Sequence, residues 1–131
     1  MALIEVPVFY QGDGIPVNVE MFEDDGITPR PLSDFINIYV EVYYFPSGKP
    51  LKRFAMIAQE GFDDANFIVV DDLTGKAQVI CQPSVMAVAD PGEYACRVKK
   101  KTEDDRFEDD NLPITVEEKV FVLKSNNLRN A

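Results

Sequence analysis

The sequence predicts an all-β sandwich of about seven to nine mostly antiparallel strands. Three observations carry that prediction. Short runs of alternating apolar and polar residues are separated by turn signals, among them Gly12-Asp13-Gly14, Asp25-Gly26, Ser47-Gly48, Thr74-Gly75 and Pro91-Gly92. No segment keeps a helical apolar period over ~10 residues. Residues 93–99 alternate strictly after the turn Asp90-Pro91-Gly92: Tyr94, Cys96 and Val98 point one way, and Glu93, Ala95, Arg97 and Lys99 the other. That is the pattern of a strand with one face on a core.

A tyrosine two residues before a cysteine, entered through a turn, resembles the tyrosine corner of immunoglobulin-like sandwiches. In that feature the phenol ties the strand to the preceding corner. The resemblance implies an Ig-like shape, with Asp90, Gly92 and Tyr94 as the structural corner and the other strands packed around this one.

The chain has 131 residues and is 46% hydrophobic, enough for one domain with a real core. We expect that domain over residues 1–124 and a frayed tail over 125–131. No apolar run reaches the ~18 residues of a membrane-spanning helix. Glu5 and Pro7 interrupt the apolar start and no basic leader precedes it, so synthesis in the cytoplasm without a signal peptide is expected. The formal charge of −10 disfavours phosphate backbones and anionic membranes. Histidine is absent, which removes Ser-His-Asp and Cys-His nucleophile systems and His zinc sites. Cys81 and Cys96 each lie in an alternating apolar pattern and read as buried free thiols.

In chain order, residues 3–10 read as an edge strand, because Pro7 cannot donate to a ladder; Ile4, Val6, Val8 and Tyr10 share a face. Residues 15–22 alternate, with Ile15, Val17, Val19 and Met21 inward. Residues 27–34 hold two prolines and read as a loop with a helical turn at Leu32-Ser33-Asp34. Residues 35–45 are the strongest strand, nearly all β-branched or aromatic, and form a hairpin with 51–58 across a five-residue connection. A loop over 59–66, a short strand over 67–70, and a strand over 76–82 with Ala77, Val79 and Cys81 inward come next. Residues 84–89 suggest one helical turn capped by Ser84. After the strand at 93–101, residues 103–112 read as an exposed acidic hairpin tip, and 114–123 as the last strand.

Carboxylate pairs recur at Asp24-Asp25, Asp63-Asp64, Asp71-Asp72, Asp104-Asp105 and Asp109-Asp110. None follows the alternate-ligand pattern of a calcium loop, and Asp is itself a turn former. We therefore expect no metal, no cofactor and no enzymatic activity. The least ordinary feature is the strongest strand. If Ile36, Ile38, Val40, Val42 and Tyr44 face the core, then Phe35, Tyr39, Tyr43 and Phe45 face out, with Asn37 and Glu41 between them. Such a stripe either lies under a neighbouring element, such as residues 27–34, or is a partner-binding surface. Phe35, Tyr39, Tyr43 and Phe45 are the candidate contact residues.

A first strand ends in Gln11-Gly12-Asp13 and the next begins Ile15-Pro16-Val17; an Asp25-Gly26 turn follows. Leu73-Thr74-Gly75 then leads into a strand, and a helical turn precedes Gly92-Glu93-Tyr94. This punctuation resembles that of the N-terminal β-sandwich of phage baseplate upper proteins. The likeness spans roughly residues 3–123 and extends to small prophage tail-associated proteins. It implies a non-enzymatic structural and interaction module of a tail (baseplate-like) assembly, incorporated into a phage virion and working through protein partners or self-association; the net charge of −10 sets the expectation of no nucleic acid and no membrane partner. The alternative, from the outward aromatics, is a glycan- or ligand-binding sandwich.

Overall fold

The computed structural model describes residues 6–103, 106–108 and 111–125. Among them the order is β1 (Val8–Tyr10), β2 (Ile15–Glu20), a 3-10 turn (Leu32–Asp34), β3 (Asn37–Tyr44), β4 (Pro50–Ala55), β5 (Phe67–Asp71), β6 (Lys76–Cys81), a short helix α1 (Pro83–Met86), β7 (Gly92–Lys101) and β8 (Ile114–Lys124). The eight strands form two sheets, ordered β1-β8-β7-β3-β4 and β2-β6-β5. Every pairing is antiparallel except the short one between β1 and β8. The fold is a β-sandwich.

Period-two patterning builds the layer between the sheets. In β2, Ile15, Val17 and Val19 are buried and Pro16, Asn18 and Glu20 are exposed. Their β6 neighbours in register are Cys81, Val79 and Ala77, so the buried cross-strand pairs share one face. The centre of β3 contributes Ile38, Val40 and Val42, all without solvent exposure. Tyr94 stacks on Phe121 with ring centroids 5.0 Å apart, and Tyr44 meets Tyr94 edge-on at 5.4 Å. These offset and edge contacts suit the ring quadrupoles.

Two glycines hold the corners. Gly75 sits at φ 69° in the β5–β6 turn, and a Cβ there would lie 2.4 Å from the Arg30 carbonyl oxygen and 2.7 Å from that of Met21. The turn is thus docked against the segment that precedes β3, with the Leu32 N–H donating to the Asp72 carbonyl at 3.0 Å. Gly92, at φ 143°, lets the Tyr44 ring pack where a Cβ would come within 2.7 Å of it.

The strand assignments hold with shifts at the ends, and several details differ from the sequence expectation. The strongest strand begins at Asn37, so residues 35–36 leave the 3-10 turn outside the ladder and their sides are exchanged: Phe35 is in the core and Ile36 is exposed. On β1, Val8 and Tyr10 are exposed, whereas Phe9, together with Val6 ahead of the strand, packs against the core. Gln82 occupies the N-cap of α1 with no side-chain capping hydrogen bond, so Ser84 is not its cap; Pro83 supplies the preset φ at the first turn. Leu112, expected in an exposed tip, is buried under the outer face of β3 and β4 with Tyr39 and Ala55. The acidic pairs at 104–105 and 109–110, residues 3–5 of the first expected strand, and residues 126–131 of the expected tail lie outside the described residues.

Candidate functional site: the outer face of the five-stranded sheet

On β3 the residues pointing away from the core are Tyr39, Glu41 and Tyr43. Register places Lys99, Arg97 and Ala95 of β7 beside them and Ala55 and Arg53 of β4 next to Tyr39 and Glu41. Glu117 of β8 lies opposite Arg97. The result is a ladder of alternating charge across four strands. Arg53 Nε donates to Glu41 Oε2 at 2.8 Å, Arg97 donates through a terminal guanidinium nitrogen to Glu41 Oε1 at 3.1 Å, and Arg97 Nε donates to Glu117 Oε2 at 2.8 Å. Glu117 beside Arg97 raises the guanidinium's already high pKa further.

That ladder covers the aromatic stripe. The Arg97 guanidinium lies 3.9 Å from the centroid of the Tyr43 ring, leaving Tyr43 3% exposed. Burial, helped by the Glu117 charge, pushes the Tyr43 phenol above its ordinary pKa. Tyr39 is 6% exposed, packed against Phe62 at 5.0 Å between centroids and donating its hydroxyl to Gln59 Oε1. Asn37, at the start of the strand, accepts from the Ile57 N–H at 2.9 Å and donates to its carbonyl at 3.1 Å, which anchors residues 57–62 over Tyr39. Phe35 is buried beneath Arg30, whose guanidinium carbon lies 4.7 Å from the ring. Of the four candidate contact residues only Phe45 is open, 44% exposed with the Lys119 ammonium 4.6 Å above its ring. The expectation of an exposed aromatic contact face is therefore corrected. The cover comes from residues 59–62, Leu112 and Arg97 for β3, and from residues 27–34 for Phe35 alone.

What remains of this face is a shallow groove of 330 Å³ lined by Tyr39, Glu41, Arg53, Phe62, Arg97 and Lys99. Both oxygens of Glu41 are already engaged by arginines, so the groove presents no free carboxylate for proton transfer. Its two arginines are spent on the same ladder. The corner, in contrast, is as the sequence implies. The Tyr94 hydroxyl donates to the Asp90 carbonyl at 2.6 Å, closing the turn that Gly92 makes possible. Burial, with Asp90 nearby, pushes the Tyr94 phenol up to about 12. Cys81 and Cys96 are buried free thiols, each pushed up to about 12 by burial. A thiol with so high a pKa is a poor nucleophile at neutral pH. Among the described residues no group of three or more acidic or cysteine side chains is arranged to hold a metal ion, and no helix is long and apolar enough to cross a membrane.

Sequence reasoning missed a second surface. The sandwich has four strand edges, and three are blunted. β1 is three residues long and follows Pro7; β2 carries Pro16; β4 begins at Pro50, and residue 63 crosses its far end, with the Asp63 N–H donating to the Arg53 carbonyl at 2.9 Å and the Ala55 N–H to the Asp63 carbonyl at 3.1 Å. Among the described residues the β5 edge has neither proline nor cover within Phe67–Asp71, and its Ile68, Val69 and Val70 are 44%, 49% and 60% exposed. The signal was present in the sequence as an unbroken Phe-Ile-Val-Val run between turns. An apolar run of that kind reads as a strand buried on both sides, and only the sheet order puts it at an edge.

Comparison with protein-family models, with curated proteins and with solved structures finds no match to this chain.

Proposed function

We propose that the chain is a non-enzymatic structural and interaction module that acts through protein–protein contacts. The observation that carries this reading is the exposed apolar run Ile68-Val69-Val70 on an otherwise unprotected sheet edge. Apolar area concentrated at one place on a protein of net charge −10 is the composition of a contact surface. The assembly we propose is a phage or prophage tail of the baseplate kind. Its support is the spacing of Gln11-Gly12-Asp13, Asp25-Gly26, Leu73-Thr74-Gly75 and Gly92-Glu93-Tyr94. The sheet order adds support for an Ig-like sandwich: β8, β7, β3 and β4 over β2, β6 and β5 follow the G, F, C and C′ strands over B, E and D of a variable-type domain. The glycan reading loses its platform, since Tyr39 and Tyr43 lie under their own chain.

Immunogold labelling tests the placement. An antibody raised against this chain should label the tails of particles released from source cells after prophage induction. Gold confined to cell debris, with bare particles, would overturn the tail assignment.

A further inference from the structure

We propose that the free edge of β5 accepts an extended segment of another protein as an added strand, and that this segment is apolar at its centre and carries Lys or Arg at both ends. The proposal rests on the reading of the chain as an interaction module and names the surface and the chemistry of its partner.

The backbone supplies the template. The Ile80 N–H donates to the Asn66 carbonyl at 3.0 Å, and register pairs Phe67 with Val79, Ile68 with Gln78 and Val69 with Ala77. In an antiparallel ladder, bonded and non-bonded pairs alternate. Ile68 therefore spends its N–H and C=O on β6, and Val69 directs both away from β6, toward the open side. The Phe67 N–H, on that same side, is occupied by the Asp64 carbonyl at 3.3 Å. The register shift between Val69 and Asp71 leaves Val70 bulged out of the ladder. An incoming strand would meet the Val69 backbone, with apolar side chains on both faces of the edge. Backbone hydrogen bonds give such an addition its affinity, and alternate side chains give it specificity.

Charge selects the occupant. Asp63 and Asp64 precede the strand and Asp71 and Asp72 close it. Asp63 is paired with Lys52 at 3.5 Å, the Asp72 Oδ1 accepts from the Ser33 N–H at 2.8 Å, and Lys76 lies opposite Asp71 in the ladder. Asp64 and Asp71 remain exposed, one at each end. A second copy of the chain fits poorly. Antiparallel self-pairing about Val69 would bring the acidic end of each β5 to the acidic start of the other, between chains of charge −10. A strand with basic ends meets the opposite sign at both.

The probe is a fluorescein-labelled peptide, Lys-Lys-Val-Thr-Val-Thr-Val-Lys-Lys, titrated with the full chain and followed by anisotropy. Saturable binding is expected, weakened about tenfold or more by Val69→Pro, which removes the open N–H, and by exchanging the peptide lysines for glutamates. Val70→Lys, which adds a like charge at an exposed site, should weaken it comparably with the fold intact by circular dichroism. Three results overturn the proposal: no saturable binding, equal binding by the parent and both variants, or a parent dimer in light scattering that Val70→Lys converts to monomer. Loss of peptide binding with gold still on the tails would sink the edge and leave the tail placement standing. Bare particles with intact peptide binding would do the reverse.

Discussion

The outer face of β3 and the edge of β5 are both rich in large apolar side chains, and the molecule treats them differently. Tyr39 and Tyr43 sit inside a sheet, flanked by β4 and β7, where neighbouring strands supply arginines and glutamates, and the loop after β4 supplies Phe62, as cover. Ile68, Val69 and Val70 sit on a strand with a neighbour on one side only, and among the described residues nothing crosses to them. The difference teaches that aromatic content does not identify a contact surface. Tyr43 under a guanidinium is structural, as buried as the core valines; a plain Ile-Val-Val run at an edge is the open surface.

The largest effect that could break this comparison comes from the covered face. Tyr39→Ala with Tyr43→Ala removes two buried rings and strands Arg97 and Phe62 above the gap. Aromatic-to-alanine changes in cores cost about 3–5 kcal/mol each, so the double variant should be largely unfolded by circular dichroism at 25 °C. A folded variant that has lost only self-association would restore the aromatic stripe as a binding face.

Next in size is the corner that fixes β7. Tyr94→Phe keeps the ring between Tyr44 and Phe121 and leaves the Asp90 carbonyl without its donor. The expected loss is about 1–3 kcal/mol in urea melts. A change near zero would mean that packing alone holds β7, and would weaken the contrast between a latched sheet and an open edge.

Alkaline pH probes the same interior. Burial raises Cys81 and Cys96 from 9.0, and Tyr94 from 10.0, each to about 12. The native state keeps protons that the unfolded chain releases, so the contribution is fully present below the unfolded pKa and is lost as pH rises toward the folded one. The urea midpoint should fall between about pH 8.5 and 11, and Cys96→Ala should show a smaller fall than the parent. A flat profile would say that these groups are wetter than the fold implies.

The smallest effect belongs to the open edge. Val70→Lys replaces an exposed side chain with a charge and should change stability by no more than about 0.5 kcal/mol. A loss of several kcal/mol would show that β5 is covered after all.

Much of the sandwich was legible because its strands obey a two-residue period and its turns use Asp, Gly and Pro. Ile15, Val17 and Val19 could be assigned inward from alternation alone, and Tyr94 could be tied to its corner from the Asp-Pro-Gly turn and the spacing to Cys96. The site was much less legible. Period two says which residues share a face, but not whether another strand's side chain will lie over them. Arg97 reaches Tyr43 from a strand more than fifty residues away, and Leu112 arrives from a stretch whose acidic composition reads as solvated. Phe35 and Ile36 exchanged sides because the ladder starts two residues later than the apolar run, and a strand's phase can be read only where it is paired. The β5 edge was hidden for the opposite reason: its residues look like core, and the sheet order decides that they are not.

Amide hydrogen exchange of the free chain, resolved by NMR, tests the comparison most directly. The Val40 and Val42 amides, held between β4 and β7, should exchange only through opening of the sandwich. The Val69 amide, directed to the open side of β5, should exchange close to the rate of an unstructured amide, while that of Ile68, bonded to β6, is slowed. Protection of Val69 equal to that of Val40 in a monomeric sample would contradict the open edge on which the function proposed for this molecule depends.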